Sequence, residues 1–259
     1  MNTLMPTIFI GHGNPMITLS KNVYTEAWKR IGELIPRPKA ILTVSAHWYI
    51  KGSAVTINPA PSTIHDFGGF TQELHEVQYP APGCPELARR VKDLLSPTDI
   101  ELNNDWGLDH GTWTVLRHVY PKADIPVVQL SIDKTKPANY HFELAKRLIS
   151  LREEGVLVVG SGNIVHSLRA YVWGNNAPQP YDWAVRFDKL IRQLILSGDN
   201  DKIIAYEKLG EDAMLSVPTP DHFLPLLYTL GLRKENESIS FPVEGYDGGS
   251  MSMLAVQIG

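Results

Sequence analysis

The chain reads as α/β, a three-layer α/β/α single domain with a mostly parallel, mixed central sheet. Three observations predict this. Short runs rich in Ile, Val, Leu and Thr alternate with helix-like stretches over most of the length, the pattern of strands joined by covering crossovers. Histidines stand where three of those runs end, the place where open parallel sheets collect ligands. With 259 residues, 43% of them hydrophobic, the chain can bury a full core without disulfides or metal staples.

The elements follow in order. Strands are expected at 7–10, 39–45, 53–57, 99–102, 126–131, 156–160, 238–243 and 251–257, each bounded by Gly, Pro or Asp. Helices are expected at about 24–34, 85–95, 112–119, 138–153, 181–197 and 222–230. The clearest is 138–153, with Phe142, Ala145, Leu148, Ile149 and Arg152 at three- and four-residue spacing and Gly155 past its end. Asn58 to Pro85 holds five prolines and is long enough to act as a lid or binding loop. Gly174 to Pro180 is a shorter Asn/Pro-rich connection. No internal repeat or linker divides the chain, so residues 1–259 are read as one catalytic domain.

Composition excludes some functions. A net charge of −4 and no dense Lys/Arg cluster argue against nucleic acid as a partner. No apolar run approaches the roughly 20 residues of a membrane span, and Met1 to Pro6 lacks the features of a leader. The single cysteine, Cys84, fits a reducing compartment, so a soluble cytoplasmic protein is expected. Nothing marks Cys84 as an activated thiol. Oligomeric state is unreadable.

The chemistry lies in the histidines. His12 sits between Gly11 and Gly13 directly after a strand, a setting open to a metal and its ligand, although a turn histidine is the plainer reading. His47 follows Ser45-Ala46 and precedes Trp48, against which it could simply pack. His222 follows Thr219-Pro220-Asp221, capping signals that put it in the first turn of the 222–230 helix, where the dipole favours the neutral imidazole that metals require. His166 lies beyond Gly160-Ser161-Gly162 and divides between fourth ligand and general base. The Gly-Ser-Gly loop lacks the third glycine of a dinucleotide fingerprint and the lysine of a P-loop. His110, beside Asp109 and Gly111, suits an oriented acid or a substrate contact, and a helix-capping turn is its structural alternative. His65, in His65-Asp66, has the same choice; His75, His118 and His141 carry no companion signal and read as structural or solvated.

Six segments in order carry a family resemblance: Gly11-His12-Gly13-Asn14-Pro15-Met16, Ser45-Ala46-His47-Trp48, His65-Asp66-Phe67-Gly68-Gly69-Phe70, Asp109-His110-Gly111, Ser161 to His166, and Pro218-Thr219-Pro220-Asp221-His222. The chain resembles the class III extradiol ring-cleavage dioxygenases, and within them the 4,5-DOPA dioxygenase extradiol branch, from Thr7 to Leu254. The resemblance implies metal ligation by His12, His47 and His222, with His166 as additional ligand or base. It also implies catalytic roles for His166 and His110 and a substrate contact at His65. The implied reaction opens a catechol ring beside its two hydroxyls with O₂, giving a muconic semialdehyde.

One divalent metal per chain is expected, Fe(II) for dioxygenase activity and Zn(II) in the protein as purified, since zinc outcompetes ferrous iron for a given imidazole site. Three neutral ligands leave the full +2 charge, which a doubly deprotonated catechol neutralises. Phe67, Phe70, Trp48 and Trp113 are candidate apolar walls for the ring, or ordinary core. Two other classes stay open: a zinc hydrolase, because a three-histidine zinc site brings a bound water to a pKa of about 7, and a non-enzymatic metal sensor with a closed site.

Overall fold

A computed structural model describes residues 4–174 and 179–259. Its strands are β1 (Thr7–Gly11), β2 (Ala40–Ile50), β3 (Ser53–Thr56), β4 (Ile100–Asn103), β5 (Val127–Asp133), β6 (Val156–Gly162), β7 (Ile239–Val243), β8 (Tyr246–Asp247), β9 (Met251–Ser252) and β10 (Ala255–Ile258). Eight form one sheet in the order β4-β3-β5-β2-β6-β1-β10-β7. The centre is parallel, β5 to β2 to β6 to β1, while β10 and β7 add an antiparallel edge. β3 joins β4 in parallel and β5 antiparallel. β8 and β9 form a separate ribbon.

The helices are α1 (Val23–Leu34), α2 (Gln72–His75), α3 (Pro85–Leu94), α4 (His110–Val119), α5 (Ala138–Lys146), α6 (Ser150–Glu153), α7 (Asp182–Ser197), α8 (Asn200–Ile204), α9 (Glu211–Ser216) and α10 (Leu224–Gly231). Successive strand residues point to opposite faces, so the central strands feed two cores. Ile8, Ile10, Ile41, Leu157 and Val159 meet α1 and α4 through Trp28, Ile31, Trp113 and Leu116. Phe9, Leu42, Val44, Val158 and Leu130 meet the other layer, α3, α5, α7 and α10, through Val91, Leu144, Phe187 and Leu227. That is the expected α/β/α arrangement with its mostly parallel sheet.

Four departures from the sequence reading stand out. β2 runs to Ile50 instead of ending at 45, because it keeps pairing with β5 across a register break between Val44 and Tyr49. Its pairing with β6 does stop, at Ser45 opposite Ser161, so His47 lies on the strand but beyond the β6 ladder. The helix expected over 138–153 is two, α5 and α6, with Arg147 to Ile149 a tightened turn between them. α10 begins at Leu224 because Pro225, lacking an N–H, is tolerated only in a first turn; His222 therefore belongs to the turn before the helix. The strand expected over 251–257 divides between β9 and β10. The short helices α2, α8 and α9 carry too few turns to leave a periodic signal. The connection expected over 174–180 falls in part on residues 175–178, outside the described residues.

Two buried charges show what the core tolerates. Arg152, fully buried, donates to the carbonyls of Met5 at 2.7 Å and Leu232 at 2.6 Å and pairs with Glu237, so its charge is met. Asp188 on α7 has one hydroxyl, Ser252 Oγ, 2.5 Å from its Oδ1, and burial pushes its pKa up to about 6. The folded state thus binds this proton more tightly than the unfolded chain. Stability is fullest below pH 4 on this account and declines as pH rises from about 4 to 6, by as much as about 3 kcal/mol. Asp188→Asn is expected to raise the Tm at pH 7.5 and to flatten the stability profile between pH 4 and 6, as read by urea melts. An unchanged profile excludes this origin.

Candidate metal centre

The carboxyl ends of β1, β2 and β6 lie side by side, and the chain leaves them in different directions. His12 follows β1 and extends its ladder, its N–H donating to Gly162 O at 3.1 Å. The Ser161 hydroxyl spends its one hydrogen on Gly111 O at 2.5 Å. It can therefore only accept from His12 Nδ1, 3.0 Å away, which puts the imidazole hydrogen on Nδ1 and leaves Nε2 bare.

His47 Nε2 stands 3.2 Å from that atom. Its Nδ1 lies 3.4 Å from Asp66 Oδ2, a partner that favours hydrogen there as well. His222 completes the group, its Nδ1 hydrogen-bonded to the carboxylate of Asp221. The ligating atoms of His12, His47 and His222 all lie within 4.8 Å of one another. A tetrahedral ion with nitrogens at about 2.0–2.1 Å holds them about 3.3 Å apart, so the His12–His47 pair already has the required spacing. Bare lone pairs facing at this distance repel unless a cation lies between them. The residues fit a divalent metal.

Electrostatics agrees. Burial, and then the charges of neighbouring imidazoles, holds the His12 and His47 pKa values well below the ordinary value, so both are neutral and ready to ligate. Burial opposes ionisation of Asp221, but its hydrogen bond to His222 prevails and keeps the carboxylate charged. A histidine whose second nitrogen donates to a carboxylate is the usual orienting arrangement around metals.

Glycines create the room. A Cβ on Gly162 would stand 2.2 Å from His222 O, and one on Gly160 2.5 Å from Pro225 O. The turn bearing His222 can lie on β6 only because these positions lack side chains. The Gly-Ser-Gly loop thus seats one histidine with its glycines and orients another with its serine.

The remaining candidates surround this group. His166 lies outside it and stacks flat on His222, ring centroids 3.5 Å apart and planes within 4°. His110 sits beside His47, centroids 3.7 Å apart. The carboxylate that meets His110 is Asp66, not the adjacent Asp109: Oδ1 accepts from the His110 backbone N–H at 2.9 Å, and Oδ2 lies 3.0 Å from Nδ1. Burial works against the Asp66 charge, but contact with His110 holds its pKa below the usual range. Asp109 instead caps α4 and takes hydrogen bonds from Ser45 and Gln129, both at 2.7 Å. His47, Asp66 and His110 form a second compact group sharing His47 with the first.

His65 donates Nε2–H to Val77 O at 2.9 Å and packs on Phe67 and Trp113. Phe67 lies 5.4 Å from His110 and 5.3 Å from Phe70, forming an aromatic wall. Trp48 does not join it; it is buried and stacked on Trp106. His141 is buried with Nδ1 3.0 Å from the Tyr228 hydroxyl, a structural position. Sequence reasoning missed Ser161 and Asp221 as orienting groups and gave Asp66 no partner. Adjacency to a ligand was the available signal for Asp221; Ser161 and Asp66 act through space.

The model of the family described as the catalytic LigB subunit of aromatic ring-opening dioxygenase matches residues 9–251. A 4,5-DOPA dioxygenase extradiol of Escherichia coli K12 is 49% identical, covering 100% of this chain and 96% of that protein. One from Beta vulgaris is 36% identical, covering 97% and 95%. The crystal structure of an uncharacterized Escherichia coli K12 protein superposes with a TM-score of 0.87 at 44% identity, covering 98% of this chain and 100% of that one. With a family match over nearly the whole chain and the histidine group at the sheet's carboxyl end, this protein belongs to the LigB family of aromatic ring-opening dioxygenases.

Proposed function

We propose that the protein is an oxidoreductase that opens the ring of DOPA-like catechols with O₂, giving a muconic semialdehyde, in one catalytic domain spanning the chain. His12, His47 and His222 would hold one divalent metal. The observation that carries the reading is the facing of two Nε2 atoms at 3.2 Å while Ser161 and Asp66 occupy the opposite nitrogens. Such a metal, when bound, supplies Lewis acidity to the catechol oxygens and, as Fe(II), an electron path to O₂. Zn(II) supplies only the first, and we expect it in the protein as isolated.

The chain's own residues handle the protons and the ring. His166, neutral because burial and then His222 lower its pKa, takes a proton from the arriving catechol. His110, braced by Asp66, returns one to the departing oxygen. Phe67 and Phe70, with His65 behind Phe67, wall the ring. Among the described residues no helix is long and apolar enough to cross a membrane. The free thiol of Cys84 supports a reducing cytoplasm. Family membership favours ring cleavage over zinc-dependent hydrolysis.

The test is a metal exchange. Metal is removed, the protein reloaded anaerobically with Fe(II) or Zn(II), and L-DOPA and air added. Oxygen uptake matched by a yellow ring-opened product is expected only with iron. Ester or amide hydrolysis by the zinc form, without O₂ uptake by the iron form, would overturn the reading.

A further inference from the structure

A cavity of about 730 Å³ adjoins the histidine group without including it. Its lining begins two residues past His12, at Asn14, and a Cβ on the intervening Gly13 would stand 3.7 Å from Asp247 Oδ2. Phe70 links its wall to Phe67 and so to His110. Among the described residues lining it, Asp247 carries the one charged side chain.

Asp247 is held in place on one side and free on the other. Oδ2 accepts from the Tyr171 hydroxyl at 2.9 Å and from Asn14 Nδ2 at 3.3 Å, and Asn14 also donates to the Tyr171 oxygen at 2.6 Å. The Tyr171 ring lies so close to Gly248 that a Cβ there would stand 2.2 Å from it. Oδ1 has no hydrogen-bond partner or ion pair among the described residues. Tyr24, Phe70, Tyr171 and Trp173 line the same cavity as this half-buried carboxylate, with Tyr171 and Trp173 centroids 4.5 Å apart. A carboxylate in a cavity lined by aromatic rings suits an organic cation, through ion pairing with the one and cation–π attraction to the others.

Resting on the ring-cleavage reading, we propose that Asp247 is a specificity-determining residue that binds the ammonium group of the substrate's side arm. The preferred class is then catechols carrying a protonated amine on a short chain. No cation among the described lining residues faces a substrate carboxylate, so an amino acid gains from its ammonium group alone. A simple catecholamine should do at least as well, and a catechol acid should do worst.

The experiment uses dopamine, L-DOPA, 4-methylcatechol and 3,4-dihydroxyphenylacetate. The iron-loaded protein gives kcat/KM, and calorimetry on the zinc-loaded protein gives Kd without turnover. Dopamine is expected to exceed 4-methylcatechol by roughly 10- to 100-fold, the range of one charge-assisted hydrogen bond, with the acid below both. Asp247→Asn should bring the dopamine to 4-methylcatechol ratio close to one, with the tyrosine contact still available to the amide. No amine preference in the wild type, or a preference that survives in Asp247→Asn, overturns the proposal. If that variant does not fold, the wild-type ratio decides: it must be present and fall in 0.5 M salt, because an ion pair open to solvent is screened. Failure of every catechol in the oxygen assay would overturn the ring-cleavage reading, while the calorimetric ratio would still judge Asp247.

Discussion

Replacing His12, His47 or His222 singly with Ala should abolish retention of the metal through gel filtration and bring catechol-dependent oxygen uptake to the background of metal-free protein. The expectation follows from the size of the group. With three imidazoles, each removal leaves only two ligands, and removal of His12 or His47 also loses the spacing that this pair imposes. Ser161→Ala provides the graded comparison. It leaves all three ligands in place but removes the acceptor that holds the His12 hydrogen on Nδ1, so a weakening of metal affinity by roughly 10- to 100-fold is expected. The two classes of variant should therefore separate: ligand losses empty the site, while Ser161→Ala recovers activity at higher metal concentration. If His12→Ala keeps its metal with wild-type affinity, the ligand assignment is wrong. If Ser161→Ala behaves like a ligand loss, the serine does more than orient. Metal content by elemental analysis and far-UV circular dichroism together distinguish an empty site from an unfolded chain.

Much of this site was legible because parallel sheets place distant strand ends together. His12 and His166 announce themselves by following apolar runs, and the strand order then brings β1, β2 and β6 into contact without further instruction. The apolar run over 39–45 places His47 after a strand, whereas it lies on β2. β2 leaves β6 at Ser45, so the residue is functionally past an end even though its pairing with β5 continues. His222 was found through its capping signals, but those signals describe the turn before α10, not its first turn; Pro225 sets the true start. What the sequence could not show is which group orients which. Asp109 stands next to His110 and looked like its partner, whereas Asp66, forty-four residues away, makes the contact and Asp109 serves the helix cap. Likewise nothing in the spacing of the Gly-Ser-Gly loop ties Ser161 to His12, 149 residues away. The chemistry of second contacts depends on approach between elements, and periodicity and spacing carry none of it.

His166→Phe should leave metal content at the wild-type level and lower kcat for the catechol by roughly 10²- to 10⁴-fold, the range that a positioned general base contributes. The choice of phenylalanine is dictated by the geometry. His166 lies flat on His222 with centroids 3.5 Å apart, so a ring of similar size keeps that stack and the seat of the ligand beneath it, while the nitrogen that would accept a proton is gone. Alanine would open a gap over His222 and confuse loss of a base with a loosened ligand. The variant also decides between the two roles that the sequence leaves open for this residue. A fourth ligand, once removed, weakens metal retention; a base, once removed, slows turnover and leaves retention alone. The position of His166 outside the compact three-histidine group supports the second outcome. The readouts are elemental analysis, substrate binding to the zinc form, and oxygen uptake by the iron form. A variant with less metal and unchanged turnover per bound iron would make His166 a ligand, and one unchanged in both would remove it from the chemistry altogether.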